Sequence, residues 1–342
     1  MISKRKEKTT IMPALPPYRT ISTESGTLAY LDTGSPSGTP DDPSKSTNAT
    51  TLLLLHGNST SARIFTYQLT SPKLVSRHRL LAFDLPGHGQ SANAPTDQQD
   101  ETLKATYTMS SYAQAALSLL QALSHPKTTP LAILGWSLGG HIGIELIPLL
   151  ASSGYQLRGV MLTGTPPGTG QGFRIDIARA FAGREKLEPG DVQAFAQATV
   201  GDAVWEREQG FPAGRREAWI AEGVERTDGR ARRVMIGAFV GGEGVDQRAV
   251  VEGRYHRPGY DAASDVEGSA GAGAGVVGEG VVVAVVNGAE EPFVDLDYLD
   301  QIKWARLWEG KCHRLPGLEH APFWEDPDTF NAILERFLAS VG

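Results

Sequence analysis

The stretch Gly135-Trp136-Ser137-Leu138-Gly139-Gly140 sets a serine between glycines, where an apolar run gives way to a helix-forming one. A serine hydroxyl is a poor nucleophile until a base takes its proton, so the pattern acquires meaning only with partners. The flanking glycines permit a tight strand-to-helix turn that a Cβ would obstruct, and such a turn lifts the Ser137 hydroxyl to a sheet edge. Amides at the start of the following helix then face any anion that forms there. The chemistry this arrangement supports is attack on a carbonyl carbon through a covalent intermediate.

Eight histidines compete to be the base. His56 and His88 fall in turns after strands, where they organise backbone. His141 lies on the helix after Ser137 and reads as a packing or interface residue. His78, His125, His256 and His313 carry no supporting pattern. His320 is different: it sits in Gly317-Leu318-Glu319-His320-Ala321-Pro322-Phe323, between the last strand and the last helix, where it can reach over the sheet edge. A base needs an orienting carboxylate. In the chain order serine, acid, histidine, that acid follows the run Val281–Val286, which leaves Glu290, Glu291 and Asp295. Glu291 is preferred, because Pro292 fixes the turn just after it. Backbone donors for an oxyanion are expected at Leu138 and at Asn58, in the loop after the run ending at His56. Asp84, in Asp84-Leu85-Pro86-Gly87-His88-Gly89, reads as a structural hydrogen-bonding carboxylate. Trp136, Phe173 and Phe195 are candidate substrate contacts, and Phe173, Phe181, Phe195 and Trp205 would supply an apolar enclosure. No clustered ligand spacing points to a metal, and no organic cofactor is expected.

Positioning these groups requires a sheet. Thr51–Leu55, Arg79–Phe83, Leu131–Leu134, Gly159–Leu162 and Val281–Val286 are short apolar runs, as in strands buried on both faces of a parallel sheet. Helical stretches at Ser110–Leu123, Leu138–Leu150 and Asp328–Val341 alternate with them, a hairpin spans Thr20–Leu31, and Lys311–Leu315 reads as a last strand. The fold class is α/β with a mostly parallel sheet flanked by helices. The alternation stops after Gly164 and resumes at Val281. The expected organisation is a tail at 1–17, a catalytic core at 18–164 and 281–342, and an inserted, mainly helical cap at 165–280. Within the cap, the Gly/Ala-rich stretch 268–280 reads as a flexible loop.

The composition limits the partners. The 342 residues carry a formal net charge of −7, with 40% hydrophobic and 21% charged residues, which fits a folded chain. That mildly acidic balance argues against nucleic acid as the main partner. A single cysteine, Cys312, forms no internal disulfide. No apolar run is long enough to span a membrane, and no secretory signal follows the basic N-terminus, so a cytoplasmic location is expected. The expected partner is a small molecule; the oligomeric state leaves no mark in the sequence.

Taken together, His56-Gly57-Asn58, Asp84 to Gly89, the Ser137 turn, Glu291 and His320 resemble the α/β-hydrolase family over nearly the whole chain from Tyr18. Longer stretches are similar to serine-type N-acyl-homoserine lactonases of that fold. These are Gly135–Glu145, Leu162–Pro167, Arg226–Arg233, Val285–Val294, Leu307–Lys311 and His320–Phe323. The resemblance implies Ser137 as nucleophile, His320 as base, Glu291 as acid, Asn58 and Leu138 at the oxyanion, and an ester or lactone as substrate. One position departs: Phe195 stands where the resembled lactonases carry a tyrosine, which removes a hydroxyl from lactone recognition.

Overall fold

The computed structural model of the chain describes residues 14–36, 50–168, 170–174, 183–201, 218–256, 276–277 and 280–342. Side-chain alternation explains why the apolar runs become strands. In Thr51–Leu55 (β3), Leu53 and Leu55 join one core cluster while Leu52 and Leu54 join the other. Arg79–Phe83 (β4) divides in the same way, with Leu81 and Phe83 on one face and Leu80 and Ala82 on the other. Successive side chains of a strand point to opposite faces, so a continuous apolar run satisfies two cores at once. Burying each such leucine stabilises the fold by roughly 1.5–3 kcal/mol.

The remaining strands are Arg19–Thr23 (β1), Gly26–Asp32 (β2), Leu131–Trp136 (β5), Leu157–Thr163 (β6), Tyr255–His256 (β7), Val276–Val277 (β8), Val282–Gly288 (β9) and His313–Leu315 (β10). The main sheet runs β1-β2-β4-β3-β5-β6-β9-β10, and β7 pairs with β8 apart from it. From β4 to β10 every pairing is parallel, and only β2 runs against the rest, pairing antiparallel with both β1 and β4. The carboxyl ends of β3, β5, β6 and β9 therefore open onto the same edge. In parallel α/β sheets that edge is where ligand sites are built.

The helices are Thr66–Leu69 (α1), Pro72–Val75 (α2), Asp100–Tyr107 (α3), Met109–Ala122 (α4), Leu138–Ser152 (α5), Pro189–Val200 (α6), Ala218–Arg226 (α7), Gly229–Val240 (α8), Gln247–Val251 (α9), Leu296–Asp300 (α10), Pro322–Glu325 (α11) and Pro327–Val341 (α12). On one face α4 and α5 supply Tyr112, Leu119, Ile142 and Leu146 to the core. On the other, α11 and α12 supply Phe323, Phe330 and Phe337. The helices α6 to α9 lie between β6 and β9 in the chain, where the alternation of strands and helices breaks off.

The arginine run Arg226–Arg233 anchors that inserted stretch. Arg226 donates to Asn93 Oδ1, and Arg230 pairs with Asp228 at 2.6 Å. Arg233 pairs with both Asp100 and Glu185. Arg232 is buried and donates to the carbonyls of Arg184, Glu185 and Val224. Tyr107 at the end of α3 completes the contact by donating to Asp228 Oδ2 at 2.8 Å.

Several boundaries differ from the sequence reading. The last strand is His313–Leu315 only, because a turn at Trp308–Gly310, with Glu309 at φ 51°, brings the chain into register with Val286–Gly288 no earlier than His313. Leu15, placed by sequence in the tail, packs against the core. Val276–Val277, placed in the Gly/Ala loop, pairs with β7. The rest of that loop, except Gly280, lies outside the described residues, as do Phe181, Trp205 and residues 1–13. No helix among the described residues is long and apolar enough to cross a membrane.

Asp84 ties the first turns together. Its carboxylate accepts the Ala62 and Gln90 amides, each at 2.7 Å, and the Tyr18 hydroxyl at 3.1 Å. Burial opposes the charged form and pushes its pKa up to about 6, against the pull of those donors. Replacing Asp84 by alanine leaves the buried Ala62 amide without an acceptor, at roughly 1–3 kcal/mol, and removes the bond from the Gln90 amide, worth about 1 kcal/mol. The expected loss of unfolding free energy is about 2–4 kcal/mol, read from urea denaturation at pH 7.

Candidate active site

Ser137 occupies the turn between β5 and α5 with φ 54° and ψ −120°. A non-glycine residue at positive φ stores strain of order 1–3 kcal/mol. The turn persists because its surroundings leave no alternative. The Ser137 amide donates to Thr163 O at 2.8 Å, and Thr165 Oγ1 donates to Ser137 O at 2.8 Å. A Cβ on Gly139 would strike the Leu55 carbonyl, and one on Gly140 would strike the Thr165 side chain. The helix behind the serine can thus lie directly against β3 and the turn after β6.

The turn after β3 closes on the same point. A Cβ on Gly57 would stand 2.8 Å from the Trp136 ring and 3.3 Å from Ser137 Cβ. Asn58 follows, half-buried, with its Oδ1 accepting the Ser59 hydroxyl at 3.2 Å. Ser59 is itself at φ 56°, which turns the chain sharply after Asn58. Leu138 is the first residue of α5, immediately behind the serine. The two positions expected to supply oxyanion donors therefore stand on adjoining turns around Ser137.

His320 meets the buried carboxylate of Glu291. Its Nδ1 donates at 2.8 Å to Oε2 and lies 3.0 Å from Oε1, and the Glu291 side chain is wholly enclosed. Phe293 donates its amide to Oε1 of the same carboxylate at 2.9 Å. The imidazole packs edge-on to Phe293, with centroids 4.8 Å apart, and against Trp136 at 5.4 Å. The turn after β6 passes so close that a Cβ on Gly164 would stand 2.6 Å from the ring. That same turn holds the Ser137 backbone, so one glycine-bearing loop touches both groups. Among the described residues no hydrogen bond joins Ser137 Oγ to His320; such bonds are often long before a substrate binds.

The rival acids stand elsewhere. Glu290 is exposed, and Asp295 caps α10 by accepting the Asp297 amide. Three of the rival histidines are buried and held neutral by desolvation, with pKa values pushed down to about 4 for His56 and His141 and about 3 for His88. His56 accepts the Leu85 amide, while His141 meets Gln247 on α9 at 2.7 Å. Each is committed to holding elements together.

The candidate substrate contacts divide. Trp136 is buried, and its indole donates to the His320 carbonyl at 2.8 Å. Phe173 is half-buried, stacked on His141 at 6.0 Å and edge-on to Phe239 at 6.1 Å. Phe195 lies on α6 in a small cluster with Val192 and Val224, apart from the two main cores. Among the described residues no group of three or more His, Cys, Asp or Glu side chains gathers where a metal ion could be held. A residue the motifs did not single out is Glu325, whose carboxylate accepts the amides of Glu319 and Ala321 on either side of His320. The signal was present as a glutamate five residues after His320, at the end of the single turn Pro322–Glu325, from which a side chain can reach back to the orphan amides before that turn.

Residues 52–333 match the model of the alpha/beta hydrolase family. Among solved structures, the chain is similar to N-acyl homoserine lactonase AidH complexed with N-butanoyl homoserine. Identity is 35%, over 94% of this chain and 96% of that one, with a TM-score of 0.71. The esterase RhEst1 from Rhodococcus sp. ECU1013 is 22% identical over 95% of this chain and 99% of that one, with a TM-score of 0.61. A putative aryl esterase from Burkholderia cenocepacia is 17% identical over the same shares, 95% and 99%, with a TM-score of 0.63. These last two likenesses speak to fold alone. The magnesium-chelatase 30 kDa subunit of Rhodobacter capsulatus is 35% identical over 95 residues, 28% of this chain. That match spans only 29% of the relative's length.

Proposed function

The chain belongs to the alpha/beta hydrolase family, and we propose that within it the protein is a serine hydrolase opening lactone or ester bonds through an acyl-enzyme. The observation that carries the reading is the enclosed Glu291–His320 pair, packed against the turn after β6 that also holds the strained Ser137 backbone. The likeness to an N-acyl homoserine lactonase over almost the whole chain favours a lactone.

In this reading His320 Nε2 takes the Ser137 proton as the hydroxyl attacks the carbonyl carbon. Charge gathers on the carbonyl oxygen, where the Asn58 and Leu138 amides stabilise it; such donors are worth roughly 3–4 kcal/mol each. Glu291 holds the imidazole in the tautomer that leaves Nε2 free to accept, and favours the imidazolium once it forms. The tetrahedral intermediate collapses, and His320 gives its proton to the leaving alkoxide. In a lactone that alcohol stays tethered to the acyl group, so water attack on the acyl-enzyme releases a single hydroxy acid. Phe173, packed on His141 of α5 and on Phe239, is a candidate contact for the acyl chain in this reading.

The deciding measurement is turnover of N-acyl homoserine lactones of increasing chain length beside p-nitrophenyl esters and a diketone, followed by acid release at constant pH. Lactone opening at kcat/KM of about 10⁴ M⁻¹s⁻¹ or more is expected. Cleavage of simple esters without any lactone would move the assignment to a general esterase. Cleavage of the diketone alone would move it to carbon–carbon hydrolysis. Thermal stabilisation by lactone with no turnover of any compound would mark a receptor.

A further inference from the structure

We propose that Glu325 is a positioning residue for His320: its carboxylate clamps the two backbone amides that bracket the histidine and thereby fixes where the imidazole stands. The proposal rests on the serine-hydrolase reading and deepens it.

Glu325 ends the short helix α11 and is buried. Its Oε2 accepts the Glu319 amide at 2.7 Å and its Oε1 accepts the Ala321 amide at 2.9 Å. Both oxygens are therefore spent on the residues immediately before and after His320. No lysine or arginine among the described residues pairs with this carboxylate. A charged carboxylate buried at the cost of desolvation, and used only to hold two amides, is a geometric device. The His320 carbonyl is fixed by Trp136 and its ring by Glu291, so Glu325 supplies the remaining tether, on the backbone at each side.

The tether is sensitive to its own ionisation. Burial pushes the Glu325 pKa up to about 7, and the two amides pull it back only in part. Glu319, on the preceding loop, adds repulsion, while His320 opposes it. From the α6 side the neighbour is Gly201, uncharged, where a Cβ would stand 3.3 Å from the Glu325 carboxyl carbon. Protonation converts one acceptor oxygen into a hydroxyl and removes the charge that strengthens both bonds. A base displaced by about 1 Å costs on the order of a hundredfold in rate.

The test compares wild type, Glu325→Gln and Ser137→Ala on whichever ester or lactone the wild type turns over, from pH 5 to 9, with melting temperatures recorded alongside. At pH 8, Glu325→Gln should lower kcat by about 10- to 100-fold with KM within about twofold. Below pH 7 the wild-type kcat/KM should fall more steeply than one ionisation allows, because His320 must be neutral and Glu325 charged. In Glu325→Gln the acid limb should follow a single ionisation. Wild-type kcat with an unchanged acid limb in Glu325→Gln would overturn the proposal. If Glu325→Gln shows no cooperative melt, the wild-type profile decides: a single-ionisation limb overturns the proposal and a steeper one supports it. Full activity in Ser137→Ala would instead remove the serine reading itself, whatever Glu325 does.

Discussion

Replacing Ser137 by alanine is expected to lower kcat by about 10⁵- to 10⁶-fold while the fold stays intact. The two halves of that expectation have separate causes. Loss of the hydroxyl removes the atom that forms the acyl-enzyme in the proposed mechanism, and the histidines and cysteine that could rival it are committed elsewhere. The His56 and His88 rings are buried in backbone-holding roles, and Cys312 lies beside the last strand, with burial pushing its thiol up to about 12. A residual rate of about 10³- to 10⁴-fold over water is expected to survive, because the two amides proposed to hold the oxyanion are untouched by the substitution. Stability should barely move. The Ser137 side chain caps no amide of α5, so its removal orphans no donor. Alanine keeps the Cβ, so the positive-φ strain is also kept. Melting temperature measured beside activity separates these effects, with a shift under about 2 °C expected. Glycine at the same position would relieve the strain and raise the melting temperature while remaining inactive.

Much of the candidate site's local geometry was readable from the sequence because its signals are local. Ser137 announces itself through glycines required by atoms within a few residues, and β5 and α5 follow from an apolar run on one side and helical spacing on the other. The strand Thr51–Leu55 was readable because a wholly apolar run has no polar face to show solvent. The choice among Glu290, Glu291 and Asp295 was narrowed by Pro292, yet only burial separates them. Glu290 reaches solvent, Asp295 spends its side chain on a helix start, and Glu291 lies enclosed beside an imidazole. What escaped the sequence is what depends on contacts between distant segments. The Trp136 indole finds the His320 carbonyl across 184 positions, and Asp84 gathers Tyr18 and Ala62 from two other turns. Neither partner carries a mark of the bond in its own neighbourhood. Glu325 is intermediate: its bonds are local, but their meaning depends on the histidine between them. Phe195 shows the opposite limit, since its place in a satellite cluster with Val192 and Val224 follows from how α6 meets α7, which no local pattern specifies.

Exchanging Glu291 for glutamine should cost about 10³- to 10⁴-fold in kcat, with KM little changed and the fold retained. The amide is the same size, and its oxygen can still accept the Phe293 amide that the carboxylate accepts at 2.9 Å. What changes is the partner offered to His320. A carboxylate only accepts, so it requires a proton on Nδ1 and leaves Nε2 bare to take the Ser137 proton. With its oxygen held by Phe293, glutamine presents an NH₂ to Nδ1 and selects the opposite tautomer, which places a proton on Nε2 where the base must be free. The imidazolium formed during attack also loses its counter-charge in an enclosed site. Glu290→Gln, on the exposed neighbour, should leave kcat within about twofold, as surface substitutions do. An equal loss from both variants would indicate a damaged loop and remove the assignment of Glu291. Combining Glu291→Gln with Ser137→Ala gives the sharper discrimination. If the two residues act through one base, the double variant should be no slower than Ser137→Ala alone, since orienting a base has no value without a nucleophile to deprotonate. Losses that multiply would mean that Glu291 acts independently of Ser137, and the three residues would not be one catalytic unit.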